Sequence, residues 1–371
     1  MKKRLLKSSN ETGFEVVGIF TRKSLIRKFR KGVQFFLIFV IVVLTATRIN
    51  GQQGPLKISE TFQAKNFFSS TVDSDNKLWF LTEAGIVNFD GKQWSLHNQN
   101  PAIPTEGLKD IKYNSTPSGG ELLIATLNGV KVAALPLDAN SKVDTYLKDN
   151  SQIISQNILS ATGKGSLRWF GTDKGVSALQ DGKWLTNSYE GYYPPTIFED
   201  FPINSMATSP SGDTLYAATS GAGVIRLYRN DVDAVSGASE YAEWGPIIMP
   251  SDNVLCIYIA PDGTQWLGTD KGIAKHTGYE TLENWDVYNT EDGLAGNEVQ
   301  VINSDKKGNI WFGTKNGVSM FDGSKWTSYR VEEGLVSNNI LSITIDTNDV
   351  VWLGTDNGVT SISDDKITSY Q

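Results

Sequence analysis

Only one cysteine, Cys256, stands in the 371 residues, so no intramolecular disulfide can form and stability must come from packing and strand pairing. Histidine is almost as scarce. His97 and His276 are the only two, which excludes a histidine-rich metal centre, and neither lies in a sequence that reads as part of a catalytic triad. Prolines number 12 against 35 glycines, a balance that suits many tight turns. Basic charge is scarce as well once the first 48 residues are set aside. Beyond them 23 Lys/Arg face 39 Asp/Glu, near −16, a surface unsuited to nucleic acid, whose binding is driven largely by phosphate neutralisation.

The missing basic residues are concentrated at the start. Residues 1–32 hold ten Lys/Arg against Glu11 and Glu15, and directly behind them runs VQFFLIFVIVVLTAT, residues 33–47, followed by the polar INGQQG. A bilayer span wants roughly 20 apolar residues and a signal-peptide core about 7 to 15. The 15-residue run therefore reads as the core of a signal peptide over residues 1–51, cleaved near Gly51, with an N-terminal membrane anchor as the other reading. In both, the basic flank stays inside and the rest of the chain is expected outside the cytoplasm, in the periplasm or secreted.

What is abundant is repetition. IWFGTKNGVSMFDGSKW at 310–326 returns as LWFLTEAGIVNFDGKQW from Leu78, RWFGTDKGVSALQDGKW from Arg168, QWLGTDKGIAKHTG from Gln265 and VWLGTDNGVTSISDDK from Val351. Aligned on the threonine, the units are anchored at Thr82, Thr126, Thr172, Thr219, Thr269, Thr314 and Thr355. Three residues earlier stand Trp79, Leu123, Trp169, Tyr216, Trp266, Trp311 and Trp352; Trp94, Trp184, Trp244, Trp285 and Trp326 form a second column late in their units. A period of this length decides the architecture before any local reading does.

Within a unit four short runs are bounded by turn residues, as ILSITID, VVWLGT, GVTSIS and KITSYQ are in the last. Call them strands a to d. Strands b and c are joined by T-x-x-G, where glycine supplies the positive φ of a tight hairpin. GTKNG follows a strand but opens no helix and lacks the spacing of a phosphate loop, so no nucleotide cofactor is implied. Seven such units spell an all-β fold: a seven-bladed β-propeller of four-stranded antiparallel blades over residues 56–371, its last strand at Lys366–Gln371. A small residue precedes the threonine in six units; Leu81 in the first implies looser packing or a different neighbour there.

The run [IV]-W-[FL]-G-T-x-x-G-V, preceded by G-L-x-x-N as in EEGLVSNNI (332–340) and EDGLAGNEV (291–299), resembles the two-component regulator propeller repeat. The resemblance covers roughly residues 60–371. It implies an extracytoplasmic sensor propeller of the kind found in hybrid histidine kinases, recognising an oligosaccharide or related polar ligand. The given chain runs out with the last strand at Gln371, so ligand recognition carries over as an expectation and kinase signalling does not. A separate membrane or signalling protein would then read out binding.

Strands alternate direction, so bc turns and da connections share one face. There the bc turns offer Glu83, Asp173, Lys174, Asp270, Lys271, Lys315, Asn316, Asp356 and Asn357 as a rim of hydrogen-bonding groups. The same residue types are also what soluble turns are made of. The longest da connection, NSYEGYYPPTIFEDFPIN at 187–204, adds Tyr189, Tyr192, Tyr193, Phe198 and Phe201, which either stack on a ligand or fold down as a lid. The tryptophan columns read as core, and so does Cys256 within NVLCIYIA. DSDNK at 73–77 alternates oxygen-bearing residues like a calcium loop but lacks its glycine and distal glutamate, so no metal is expected. Two other functions stay open: a protein-interaction scaffold, and a lyase similar to the streptogramin-inactivating propellers, disfavoured because those need a histidine on the binding face. No catalytic residue is assigned.

The leader yields a direct test. Mass spectrometry of the mature protein should find a first residue between about Thr47 and Gln53 if the leader is cleaved. Intact protein in the membrane fraction would select the anchor, and intact cytoplasmic protein would reject both.

Overall fold

Each repeat unit is one antiparallel sheet with its strands hydrogen-bonded in the order a-b-c-d, and there are seven such sheets. The computed structural model describes residues 55–59, 62–185, 201–212, 214–229, 235–240, 249–277, 285–364 and 366–371. The leader, residues 1–51, lies outside them. Numbering the strands along the chain, blade one consists of β1 (Phe67–Val72), β2 (Leu78–Thr82), β3 (Gly85–Phe89) and β4 (Trp94–His97). The a-strands of blades two to seven are β5 (Leu108–Thr116), β9 (Ile158–Lys164), β13 (Ile203–Thr208), β17 (Val254–Ile259), β21 (Val299–Ser304) and β25 (Ile340–Ile345). Each packs against the a-strands on either side, and β25 packs against β1, so the ring closes.

The strand b sequences carry large apolar residues on both faces because both are covered. Ile310–Thr314 and Val351–Thr355 are buried throughout, and the first tryptophan column is core: Trp79, Trp169, Trp266, Trp311 and Trp352 are all buried. The second column sits half-buried between outer strands where it is described. Trp94 and Trp326 lie 4.7 Å from the rings of Phe89 and Phe321, and Trp244 falls outside the described residues.

Blades meet most closely at the glycine before the anchor threonine. A Cβ on Gly171, Gly268, Gly313 or Gly354 would run into the side chain opposite it on strand a, and into the first strand a residue of the next blade: Ile203, Val299, Ile340 and Phe67 respectively. Those lead residues are fully buried. In blade one the expected loosening is not found. Leu81 is itself fully buried, in one cluster with Leu108 and Ile111 of blade two, and Leu108 is accordingly the least buried of the seven lead residues.

Closure between blades seven and one uses the same contacts plus a short addition. Ser342 Oγ donates to the Phe67 carbonyl (3.0 Å), Ser70 and Thr344 share a hydroxyl hydrogen bond (2.6 Å), and Asn76 Oδ1 accepts from the Thr347 amide (2.7 Å). Outside, Leu56 runs parallel to Tyr370 of the last strand, β28 (Lys366–Tyr370), exchanging amide bonds with Ser369 and Gln371. The seam is thus tied both at the channel and at the rim of the ring.

The glycine contact predicts an asymmetry between blades. Gly354→Ala should cost about 1–3 kcal/mol in urea unfolding, because the added methyl meets Ser342 Oγ and both the carbonyl and Cβ of Phe67, so backbone must shift to admit it. Leu81→Ala should cost about 2–5 kcal/mol by opening a cavity at the matching position. Wild-type stability in Gly354→Ala would refute the close approach.

Candidate functional site

The bc turns are built by one hydroxyl. In every blade the anchor threonine donates through Oγ1 to the carbonyl of the turn glycine, as Thr82 does to Gly85 (2.9 Å), Thr172 to Gly175 (2.9 Å) and Thr355 to Gly358 (2.8 Å). The same oxygen accepts an amide from inside the turn, for example that of Lys174 (3.0 Å) or Asn357 (3.0 Å). The glycine takes φ values such as 118° at Gly85 and 122° at Gly358, where an L side chain is strained. All seven threonines are buried, so the two residues between threonine and glycine need not shape the turn and are left to vary. Blade four alone inserts a residue, and Thr219 reaches Gly223 instead (2.9 Å).

Several rim residues hold the segment that leads into their own strand a. Glu83 accepts the amides of Lys65 and Asn66 (2.7 and 2.9 Å), and Asp173 accepts from Asn157 Nδ2 (3.3 Å). Asp356 accepts from Ser337 Oγ (2.6 Å) and Asn339 Nδ2 (3.0 Å), and Lys315 pairs with Glu298 (2.7 Å). Asn357 Oδ1 accepts from Gln371 Nε2 (2.9 Å). Lys174, Lys271 and the Asn316 side chain stay exposed on the same rim. Asp173 Oδ1 and Asp270 Oδ1 are buried without a hydrogen-bond partner. Of the aromatic da connection only Phe201, half-buried just before β13, is described; Tyr189, Tyr192, Tyr193 and Phe198 lie outside the described residues.

The a-strands enclose a cavity of about 420 Å³ lined by all seven blades, within the usual range for small-ligand pockets. The row nearest the bc turns is fixed by register, since the first residue of each strand a pairs with the anchor threonine: Phe67 with Thr82, Leu108 with Thr126, and so on around the ring. The next residue faces the channel. Around the ring these are Phe68, Lys109, Leu159, Asn204, Leu255, Gln300 and Leu341, four apolar and three hydrogen-bonding. Asn204 Nδ2 donates to the Val254 carbonyl (2.8 Å) and Gln300 Nε2 to the Ile340 carbonyl (3.1 Å), so each also braces the blade after it.

Sequence reasoning missed this row because a bulge between the first and third residues of strand a shifts which side chain faces inward. It also missed a structural use of the DSDNK run. Asp73 Oδ1 accepts the amides of Asp75 and Lys77 (both 2.9 Å), and Oδ2 accepts the indole N–H of Trp79 (2.8 Å). Asp305 and Asp346 hold Trp311 (3.0 Å) and Trp352 (3.2 Å) in the same way. The signal was available as D-x5-W, three times over. Among the described residues no group of three or more His, Cys, Asp or Glu could hold a metal ion.

The remaining reactive groups are occupied in packing. Cys256 is buried, donates to the Val299 carbonyl (3.4 Å), and burial pushes its thiol far above the ordinary range, so it is unreactive. His276 lies under Trp285 with ring centroids 4.4 Å apart. His97 packs 5.0 Å from Trp79 with Nε2 buried and unpaired, and burial lowers its basicity.

The described strands form a seven-bladed β-propeller. Residues 293–316 and 334–357 match the two component regulator propeller repeat, so blades six and seven carry that repeat. Each matched stretch runs from the lead-in through strands a and b to the bc turn, the module latched by Glu298–Lys315 and Asn339–Asp356. An extracellular domain assigned to a hybrid two component system of B. thetaiotaomicron shares the fold at TM-score 0.64 and 21% identity, over 82% of this chain and 40% of that one. Virginiamycin B lyase from Staphylococcus aureus matches at TM-score 0.60 and 12% identity, over 83% and 96%. A GH74 enzyme of Niastella koreensis matches at TM-score 0.55 and 14% identity, over 85% and 55%. The chain thus spans less than half the length of the two-component relative. No curated protein matches it by sequence. Among the described residues no helix is long and apolar enough to cross a membrane.

His97 gives a pH test. Its folded pKa lies below the ordinary value of about 6.5, so the neutral ring is favoured in the folded state. Its contribution is fully present above that value and is lost as pH falls from there through the lowered folded pKa, where the unfolded chain binds the extra proton. His97→Phe, keeping a ring against Trp79, should flatten the part of the Tm decline below about pH 6.5 that this residue supplies. An unchanged slope would show that the ring titrates alike in the folded and unfolded chain, against the effect of burial.

Proposed function

We propose that the protein is an extracytoplasmic ligand-recognition propeller of the sensor type, binding an oligosaccharide or related polar ligand at the bc end of its channel. One observation carries this reading. The row nearest the bc turns alternates apolar side chains (Phe68, Leu159, Leu255, Leu341) with hydrogen-bonding ones (Lys109, Asn204, Gln300) around a cavity of ligand size. A sugar has apolar ring faces and an edge of hydroxyls, and such a mixed mouth meets both.

The two-component repeats in blades six and seven support a sensor over an enzyme, and the basic, apolar leader supports export. The reading is non-catalytic: the two histidines sit on strands d and c of their blades, packed on tryptophans, and neither lines the channel. The exposed rim groups Lys174, Lys271 and Asn316 extend the same face. A separate membrane or signalling protein would receive the signal.

Thermal shift and calorimetry against a panel of neutral and acidic oligosaccharides test the proposal. At least one should raise Tm and bind with a Kd in the micromolar to millimolar range, about −8 to −4 kcal/mol. Leu159→Trp, which fills the mouth, should abolish that binding while moving Tm little. A silent panel, or undiminished binding in Leu159→Trp, would remove the channel from consideration.

A further inference from the structure

Charge is distributed around the channel very unevenly. Among the described lining residues only Lys109, Asp110 and Lys112 are charged, and all three come from β5, the inner strand of blade two. Asp110 is committed to the framework. Its Oδ1 accepts from Ser69 Oγ (2.6 Å) and the Ile111 amide (2.9 Å), and its Oδ2 from the Ala161 amide (3.1 Å), which binds blades one, two and three together. Lys112 stands 3.8 Å from Asp110 Oδ1 with its side chain 44% exposed. Lys109 is exposed and has no ion-pair partner among the described residues.

The opposite wall has a different character. Register places Lys112 opposite Leu123 and Tyr258 opposite Trp266, the same position in blades two and five, which face each other across a ring of seven. Tyr258 lines the cavity and its hydroxyl is hydrogen-bonded to Ser304, which fixes the ring; Leu255 stands beside it in the row nearer the bc turns. The channel therefore has a cationic side and an aromatic, apolar side.

From this we infer that the ligand is an anionic saccharide, carboxylated or sulfated, held with its acidic group on Lys109 and Lys112 and a ring face toward Tyr258. The inference rests on the ligand-recognition reading above and narrows it. Past residue 48 the chain is near −16, a background that repels anions, so an anion enters only where local charge outweighs it. Two lysines beside one internally satisfied carboxylate leave a local excess of positive charge on this wall, and charge-assisted hydrogen bonds to it favour an anion. A neutral sugar gains only ordinary hydrogen bonds from that wall, without the charge pairing.

Calorimetry on the full protein with digalacturonate, a sulfated disaccharide and neutral galactobiose tests the inference. One acidic sugar should bind about tenfold or more tighter than galactobiose, with affinity falling as salt rises, and the stronger of the two identifies the acidic group. Lys109→Ala and Lys112→Ala should each erase most of that preference with little change in Tm, and Lys109→Arg should retain it. Equal binding of acidic and neutral sugars would overturn the inference and leave ligand recognition standing. Acidic-sugar binding undiminished in both alanine variants would overturn it too, as would equally tight binding of acetate or inorganic sulfate alone. Binding by none of the sugars would overturn both readings.

Discussion

The ring depends on the fit between the first residue of each strand a and the residue before the anchor threonine of the preceding blade, which is glycine in four blades and alanine in two. Phe67, Ile203, Val299 and Ile340 are fully buried against Gly354, Gly171, Gly268 and Gly313, where no Cβ fits. That contact sets how near the inner strands come, and so how wide a channel seven of them enclose. It is steric and apolar, with strength that follows from packing density and buried area. Where alanine stands instead, at Ala125 and Ala218, the partners Ile158 and Val254 stay fully buried, and at Leu81 the partner Leu108 gives way slightly while the core remains closed.

Polar groups that burial would otherwise penalise are satisfied by repeating devices. The anchor threonine closes each bc turn from within, and Asp73, Asp305 and Asp346 each hold a strand b indole. A buried hydroxyl or carboxylate left unpaired would cost about 1–3 kcal/mol, so these bonds matter most as penalties avoided. Their effect on function is indirect. With the turn held from inside, the two residues at its tip, such as Asp173 and Lys174 or Lys315 and Asn316, are relieved of shaping it.

Chemical variety lies where the repeat is least regular. The channel row changes residue type from blade to blade while the lead residue beside it stays apolar. Blade two contributes the lysines, blade five the tyrosine, and blades four and six the amides that brace their neighbours. A seven-fold scaffold thereby presents a one-sided surface.

The sequence by itself determined the blade count, the strand order within a blade, the T-x-x-G hairpins, the burial of the tryptophan column and the position of the last strand. Each is a local pattern repeated seven times or set by alternation, so spacing alone reveals it. It also placed the bc residues on one rim, yet it could not show that Asp356 and Lys315 turn inward to hold their own lead-in segments, because hydrogen-bond partners 17 residues apart are not a local property. The channel row was hidden for a further reason: the bulge in strand a breaks the two-residue period from which an inward face would be read. Only closure of the ring brought Lys112 and Tyr258, far apart in the chain, to opposite walls of one cavity. That pairing follows from the number of blades and the register of each, which the folded structure alone fixes.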